Sequence, residues 1–126
     1  MAALYSDVLL DHFRNPHNFG SLASPDVVHE DVNPLCGDRI RIELELSGDV
    51  VKAARFKGDG CAISLAAASI LTELVIGARI DEGDVISNEA LVSSLKSNIK
   101  PSRIKCALLP LEVLRTGIQM YKRATK

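Results

Sequence analysis

The chain has 126 residues, of which 47% are hydrophobic and 25% charged, with a formal net charge of −1. These values are typical of one soluble globular domain. The near-neutral charge and the aromatic content of 4% argue against a protein built to bind nucleic acid or an anionic membrane, which needs a basic surface or stacking rings. The longest apolar stretch, 63–76, is interrupted by Ser64, Ser69, Thr72 and Glu73, so no membrane-spanning segment is predicted.

The start of the chain, MAALYSDVLLDHF, lacks the basic residues that open a signal peptide. Without an export signal, the odd count of three cysteines predicts reduced thiols rather than disulfides. We therefore expect a cytoplasmic protein with a single domain over 1–126.

The first half of the chain predicts one helix followed by strands. The helix covers 3–14 and ends before an Asn-Pro pair, because the residue before a proline avoids the α region. A short strand is predicted over 27–32. Apolar and charged residues alternate over 40–46, which predicts a half-buried strand, and 50–57 returns as its hairpin partner after a Ser-Gly-Asp turn.

The second half is predicted to be helical. Apolar positions over 62–76 fall on one helical face, and Gly77 provides the stop. A short helix follows over 87–95. The last helix runs to about 123. A start at 104–106 would tolerate Pro110 among the early backbone N–H groups that lack helical partners, whereas a much earlier start would place a kink there. The whole predicts an α+β fold, a small antiparallel three-stranded sheet with helices packed on one face.

Each cysteine lies at the boundary of a predicted element. Cys36 lies in the loop Asn-Pro-Leu-Cys-Gly-Asp, Cys61 opens a helix after Gly-Asp-Gly, and Cys106 follows Arg-Ile-Lys near the start of the last helix. A helix N-terminus and neighbouring cations favour the thiolate, which is the form that binds metal or attacks sulfur. With Asp38, the three cysteines make a candidate set of three sulfurs and one carboxylate oxygen, suited to Zn²⁺ or an iron–sulfur cluster.

The alternative for each cysteine is a structural role, because a free cysteine is usually a small buried hydrophobe. The spacing is weak support for a metal site: 24 residues separate the first pair, 44 separate the second, and there is no CxxC motif. The shared feature that favours a functional site is that all three lie at polar or Gly-rich boundaries and none occupies a clear core position.

The three histidines lie near the start of the chain, at His12, His17 and His29. None forms a metal-binding pair at helical spacing. We predict that they are surface or capping residues, with His12 the one able to turn inward. A cysteine hydrolase needs a histidine base beside its nucleophile, and no histidine lies close to a cysteine in the sequence.

Four stretches together resemble the U-type iron–sulfur cluster scaffold proteins, the IscU, SufU and NifU N-terminal group. They are YSDVLLDHFRNPHNFG, NPLCGDRIRIELEL, ARFKGDGCAISLAAASILTELVIG and PSRIKCALL, and they cover nearly the whole chain in the family's order. The resemblance implies that the cysteines converge at one exposed end. Carried over by position, Cys36, Cys61 and Cys106 match the family's cluster or zinc thiolates, and Asp38 matches its aspartate.

The chain also departs from the branches it resembles. A histidine precedes the third cysteine in the IscU branch, whereas this chain has Lys105, and the string from Arg103 to Cys106 is more similar to the SufU branch. That branch carries an insertion between the second and third cysteines that the present spacing lacks. A lysine is normally a cation and a poor ligand, so Asp38 is the better fourth ligand, and Lys105 is expected to lower the pKa of the Cys106 thiol or stabilise an arriving persulfide. The absent proline-rich docking motif does not favour dependence on a dedicated Hsp70-type chaperone.

Two functions follow from the resemblance. The first is a scaffold, not an enzyme, that accepts persulfide sulfur from a pyridoxal-phosphate cysteine desulfurase, builds a transient [2Fe–2S] cluster and passes it to client apoproteins or carriers. The second is a zinc-bound sulfurtransferase partner that stimulates the desulfurase and never holds a cluster. A purely structural zinc domain is the third reading. Cys36 and Cys106 are the candidate persulfide acceptors, and the protein is expected to be a monomer or weak oligomer.

Overall fold

The fold is a sheet covered on one face by helices, as the sequence predicts. The computed structural model describes residues 5–34, 37–81 and 86–125. In chain order the elements are α1 (Asp7–Arg14), β1 (Val27–Asn33), β2 (Asp38–Ser47), β3 (Val50–Asp59), α2 (Ala62–Val75), α3 (Asn88–Ser94), a 3-10 turn (Pro101–Arg103) and α4 (Ile104–Ala124). Among the described helices, none is long and apolar enough to cross a membrane.

The sheet is antiparallel throughout, with strand order β1-β2-β3. The register pairs Asn33 with Asp38 at one end of the β1–β2 hairpin, and Arg39 with Asp59 at the same end of the β2–β3 pair. The strands are therefore longer than the alternation predicted, because backbone pairing continues into the polar and glycine residues at their ends. Asp38, as the first residue of β2, lies at the sheet end where the chain turns into α2.

The core lies between one face of the sheet and helices α2 and α4, which pack against the sheet and against each other. Ile40, Ile42 and Leu44 alternate along β2 and are each at most 2% exposed. Helix α2 is slim: its three consecutive alanines, 66–68, are fully buried, so that it packs closely against its neighbours on every side. Gly77 follows α2 with φ of +90°, which confirms the predicted glycine stop.

Helix α1 begins later than the predicted 3–14, and residues 1–4 lie outside the described part of the chain. Ser6 caps it: its Oγ accepts a hydrogen bond from the Leu9 N–H at 3.0 Å and donates one to the Leu95 carbonyl at 2.6 Å. Since Leu95 is the C-cap of α3, one hydroxyl both starts α1 and ties it to α3.

Helix α4 begins at Ile104, within the predicted range, but Pro110 is its seventh residue. The expected reason for tolerating this proline was therefore wrong, because only the first four N–H groups of a helix lack intrahelical acceptors. The N–H that Pro110 removes is the one that would donate to the carbonyl of Cys106, four residues earlier. The helix nevertheless continues to Ala124.

A buried carboxylate ties the loop before β1 to the sheet. Glu43 is only 3% exposed; one oxygen accepts the Leu22 N–H at 2.8 Å, and the other accepts the Arg41 Nε–H at 2.8 Å. Burial alone would raise the pKa of Glu43, but the hydrogen bonds and the positive charge of Arg41 outweigh it and hold the pKa below its ordinary value. Glu43 is therefore a structural anion.

Candidate metal centre

Three of the four predicted ligands come together at one end of the sheet. Asp38 begins β2, Cys61 is the N-cap of α2 and Cys106 lies in the first turn of α4. One ligand atom from each of the three lies within 4.8 Å of the others. Two sulfurs and one carboxylate oxygen, drawn from a strand and two helix starts, thus converge on one point.

Cys36, the fourth predicted ligand, lies outside the described residues. The described residues on either side of 35–36 are Pro34 and Gly37, which are both exposed. Gly37 has φ of +74° and lines the same cavity as the three ligands. The described chain therefore resumes beside the cluster, at the residue that follows Cys36.

Asp38 is held in place before any ion arrives. Its side chain is only 2% exposed, and Oδ1 accepts the Cys61 backbone N–H at 3.0 Å. That N–H lies at the start of α2, where backbone donors have no helical acceptor. The second oxygen, Oδ2, lies 3.6 Å from the Cys61 sulfur. One oxygen thus anchors the carboxylate, while the other faces the thiol.

The glycine directly before Cys61 is required because the backbone there passes very close to the Asp38 side chain. Gly58 belongs to β3. At Gly60, an added Cβ would lie 2.5 Å from Asp38 Oδ1 and 2.8 Å from Ser64 Oγ. Only glycine lets the backbone pass this close to the carboxylate. Gly60 therefore sets the distance between Asp38 and the cysteine that follows it.

Cys106 is more buried than predicted. It is 5% exposed and belongs to the hydrophobic core cluster, so the expectation that no cysteine occupies a core position is wrong for this residue. Cys61 is half-buried. The cluster therefore has a buried side, at Cys106, and a more accessible side, at Cys61.

The ligands open into a cavity of about 530 Å³. Arg103 and Lys105 also line it and are both exposed, as expected of residues that attract an anion to the site. Asp59 contributes a second carboxylate to the wall. Among the described residues that line this cavity there is no histidine.

The donor set fits a thiophilic metal. In tetrahedral coordination with Zn–S near 2.3 Å and Zn–O near 2.0 Å, a sulfur and an oxygen ligand lie about 3.5 Å apart. The observed separation of 3.6 Å between Cys61 Sγ and Asp38 Oδ2 matches this value. The described residues alone thus offer three ligands, and the sequence supplies a fourth in Cys36.

The structure also brings together a group that sequence reasoning missed. His12 is 9% exposed, so it does turn inward, as the sequence allowed, and it lies beside His17 and Glu73. Burial, and then the nearby His17, lower the pKa of His12, while Glu73 and Asp11 partly oppose the shift. Only the inward-facing position of His12 on the first helix signalled this in the sequence, since Glu73 lies far along the chain.

The fold and the site define an α+β domain that carries a thiolate–carboxylate donor cluster at one end of its sheet. This chain belongs to the NifU-like N-terminal domain family, whose family model matches residues 4–126.

Relatives in this family carry two kinds of name. The chain is 38% identical over 138 aligned residues to the zinc-dependent sulfurtransferase SufU of Bacillus subtilis (strain 168), covering 91% of this chain and 89% of that protein. It is 32% identical over 125 residues to the iron-sulfur cluster assembly scaffold protein IscU of Escherichia coli (strain K12), covering 94% of each. The crystal structure of the N-terminal part of a nitrogen-fixing NifU-like protein from Brucella abortus has the same fold, with a TM-score of 0.78 at 23% identity over 95% of each chain.

Proposed function

We propose that this protein is an iron–sulfur cluster assembly scaffold, a single domain over 1–126 that is not itself an enzyme. It accepts persulfide sulfur from a pyridoxal-phosphate cysteine desulfurase. With ferrous iron and an external thiol reductant, which supplies the electrons that convert sulfane sulfur to sulfide, it assembles a transient [2Fe–2S] cluster on Cys36, Asp38, Cys61 and Cys106 and transfers the cluster to apoproteins. The observation that carries the proposal is the convergence of two sulfurs and a carboxylate oxygen within 4.8 Å. The scaffold names of relatives that align along nearly the whole chain support it.

The mixed set of sulfur and oxygen donors suits a cluster that has to be transferred to another protein. Thiolates are soft ligands that favour iron–sulfur clusters, whereas a carboxylate oxygen is a harder and weaker partner for them. Asp38 Oδ1 accepts the Cys61 N–H and Oδ2 faces the Cys61 thiol, so that a hydrogen bond orients the carboxylate while Oδ2 points towards the proposed ligand sulfurs. Asp38 thereby makes one corner of the site the point of release.

The burial of Cys106 counts against it as the persulfide acceptor. Sulfur transfer requires the acceptor thiolate to attack the outer sulfur of the desulfurase persulfide, which forms a new persulfide and releases the desulfurase thiolate. Cys106 is only 5% exposed, so a partner protein's persulfide has little access to it. Cys36, the other candidate acceptor, is therefore the one we propose; the residue that follows it in the sequence, Gly37, is exposed and lines the cavity.

The two cations at the cavity support the same step without ligating. Lys105 and Arg103 are exposed and line the cavity, where an ammonium and a guanidinium attract thiolate and persulfide anions. Neither offers a lone pair while it is charged. We assign them the role of holding the anionic sulfur near the ligands during assembly.

The second candidate is the zinc-bound sulfurtransferase partner, which the 38% identity to a relative of that name favours. In that function a resident zinc ion would be held by Cys36, Asp38, Cys61 and Cys106. When bound, the ion would keep the thiols of the three cysteines deprotonated. The chain's own residues then accept sulfur and pass it on, stimulating the desulfurase without building a cluster. The two candidates share their ligands and differ in what the ligands hold during turnover.

Metal and acid-labile sulfide analysis of anaerobically purified protein separates the candidates. The visible spectrum is recorded before and after addition of desulfurase, cysteine and ferrous iron. We expect iron and sulfide near one to one, with charge-transfer bands that are absent in Cys36→Ala and in Cys61→Ser and retained in the control His29→Asn.

Tightly held zinc, no colour after reconstitution and faster desulfurase turnover would instead establish the sulfurtransferase function. A purely structural zinc domain would give a third result, in which chelators unfold the protein and no desulfurase is stimulated.

A further inference from the structure

A second cluster of metal-binding side chains lies at the opposite end of α2 from the cysteines. His12 of α1, His17 of the following loop and Glu73 of α2 each offer one ligand atom within 4.8 Å of the others. Glu73 is twelve residues beyond Cys61, which at 1.5 Å per helical residue places it about 18 Å from the cysteine cluster. The two groups therefore cannot share one ion.

We propose that His12, His17 and Glu73 form a second metal site, for Zn²⁺ or a similar borderline divalent cation. This proposal stands independently of the proposed scaffold function, because none of its residues lines the cysteine cavity.

The distances between the ligand atoms match tetrahedral coordination. With metal–ligand bonds near 2.0 Å, two ligands of a tetrahedral zinc lie about 3.3 Å apart. Glu73 Oε1 lies 3.1 Å from His17 Nδ1 and 3.5 Å from His12 Nε2. A cation between these three atoms would need only small side-chain adjustments, and the fourth position would remain open to water.

The outer partner of His12 is already in hydrogen-bond contact, and a carboxylate lies near the outer nitrogen of His17. A ligating histidine normally donates its second ring N–H to an oxygen, which fixes the tautomer and the ring orientation. His12 Nδ1 lies 2.7 Å from Ser69 Oγ, and His17 Nε2 lies 3.9 Å from Asp11 Oδ2. In each ring, the nitrogen facing Glu73 is the one left to bind a metal.

Ser69 couples the two halves of the site. Its fully buried hydroxyl also accepts the His17 backbone N–H at 2.8 Å, so one side chain orients the ring of His12 and the backbone of His17 together. A hydroxyl oxygen has two lone pairs and can accept from both. The loop that carries His17 is thus preorganised against α2.

Charge and access also suit a cation. Glu73 and the nearby Asp11 supply negative charge. The side chains of His17 and Glu73 are 41% and 48% exposed. An adjoining cavity of about 320 Å³ reaches His12 and Glu73, with Lys96 on its wall. An ion can therefore enter from solvent, and once bound it would link α1 to α2.

Cobalt titration of the full-length protein tests the histidine–glutamate site while the cysteine cluster is also present. Thiolate ligands give intense charge-transfer bands with Co²⁺, whereas a histidine–carboxylate site gives only weak ligand-field bands. We expect two equivalents of Co²⁺ per chain, one with and one without the thiolate bands. His17→Ala and Glu73→Gln should each abolish the binding of the Co²⁺ equivalent without thiolate bands, or weaken it at least tenfold. Both variants should bind the equivalent with thiolate bands as the wild type does, and the control His29→Asn should bind both equivalents.

A thiol-free variant, with Cys36, Cys61 and Cys106 changed to Ser, provides the complementary measurement. Competition with a chromophoric chelator should show one Zn²⁺ bound per folded chain, lost when Glu73→Gln is added. The proposal is overturned if the wild-type protein binds only the equivalent with thiolate bands, or if His17→Ala and Glu73→Gln bind the second equivalent as tightly as the wild type. Because both variants leave the cysteines intact, failure here is distinguishable from failure of the scaffold function.

Discussion

A single added methyl group at Gly60 tests the geometry of the cysteine cluster. In Gly60→Ala the new Cβ would lie 2.5 Å from Asp38 Oδ1 and 2.8 Å from both Asp38 Cγ and Ser64 Oγ, well inside normal contact. Both neighbours are buried, so the strain cannot be relieved into solvent. The Asp38 carboxylate has to move, and its hydrogen bond from the Cys61 N–H has to lengthen.

The size of the effect follows from these contacts. Overpacking a well-packed site costs about 1–3 kcal/mol, and weakening a hydrogen bond to a charged acceptor costs about 1.5–3 kcal/mol. Alanine also reduces the conformational entropy of the unfolded chain, which offsets roughly 0.4–1 kcal/mol of this cost. We therefore expect Gly60→Ala to lower the free energy of unfolding by about 2–4 kcal/mol, with weaker metal binding because Asp38 leaves its position.

Urea unfolding in the presence of a chelator measures the first effect, and competition for Zn²⁺ measures the second. The matched control is Gly117→Ala in α4, whose Cβ would meet His29 Cβ at 3.1 Å and Val27 Cγ1 at 3.2 Å. There the mild crowding is offset by the better helix propensity of alanine, about 1 kcal/mol. If Gly60→Ala unfolds like the control and binds zinc as tightly as the wild type, the close approach at Gly60 does not position Asp38.

Three further changes test other parts of the structure. Asp38→Ala should prolong the lifetime of a reconstituted cluster in transfer assays, because the labile oxygen ligand is gone; equal or faster decay contradicts that role. Glu43→Gln should lower the free energy of unfolding by about 1–2 kcal/mol at pH 7 through its weakened bond with Arg41. Because the folded pKa of Glu43 is lowered, this stabilisation is complete above its ordinary pKa of 4.5 and is lost as the pH falls through the folded pKa, so urea unfolding at acidic pH should show a smaller difference. Ser6→Ala should cost about 1–2 kcal/mol in the same assay by removing the cap on the Leu9 N–H, and an unchanged midpoint would refute the cap's contribution.

The elements themselves could be predicted because their signals are local. The alternation over 40–46 reports a strand with one buried face, and the apolar positions over 62–76 report a helix that ends at a glycine. Both patterns depend only on residues within a few positions of each other. What the local pattern could not give was strand length, because the backbone of Asp38 pairs with that of Asn33, and the backbone of Asp59 with that of Arg39, whatever their side chains.

The choice of ligands came from residue chemistry and family resemblance, whereas their meeting is a property of the tertiary structure. Nothing in the 44-residue gap between Cys61 and Cys106 indicates that two helix starts face one another. The sheet end brings Asp38 beside Cys61, and α4 packs so that Cys106 reaches both while remaining buried. Because of the same packing, the alternative that Cys106 has a structural role as a small buried residue is partly right, since Cys106 belongs to the core and also lies at the site.

The histidine cluster depended on tertiary structure alone. His12 and His17 are not at a helical spacing, and Glu73 belongs to a different helix, so no sequence pattern links the three. They meet because α1 packs against α2, with Ser69 bridging the histidines. Secondary structure thus followed from short-range sequence patterns, and the cysteine and aspartate candidates followed from residue chemistry and family resemblance. The two ligand clusters were decided by tertiary packing, which joins residues that are distant along the chain.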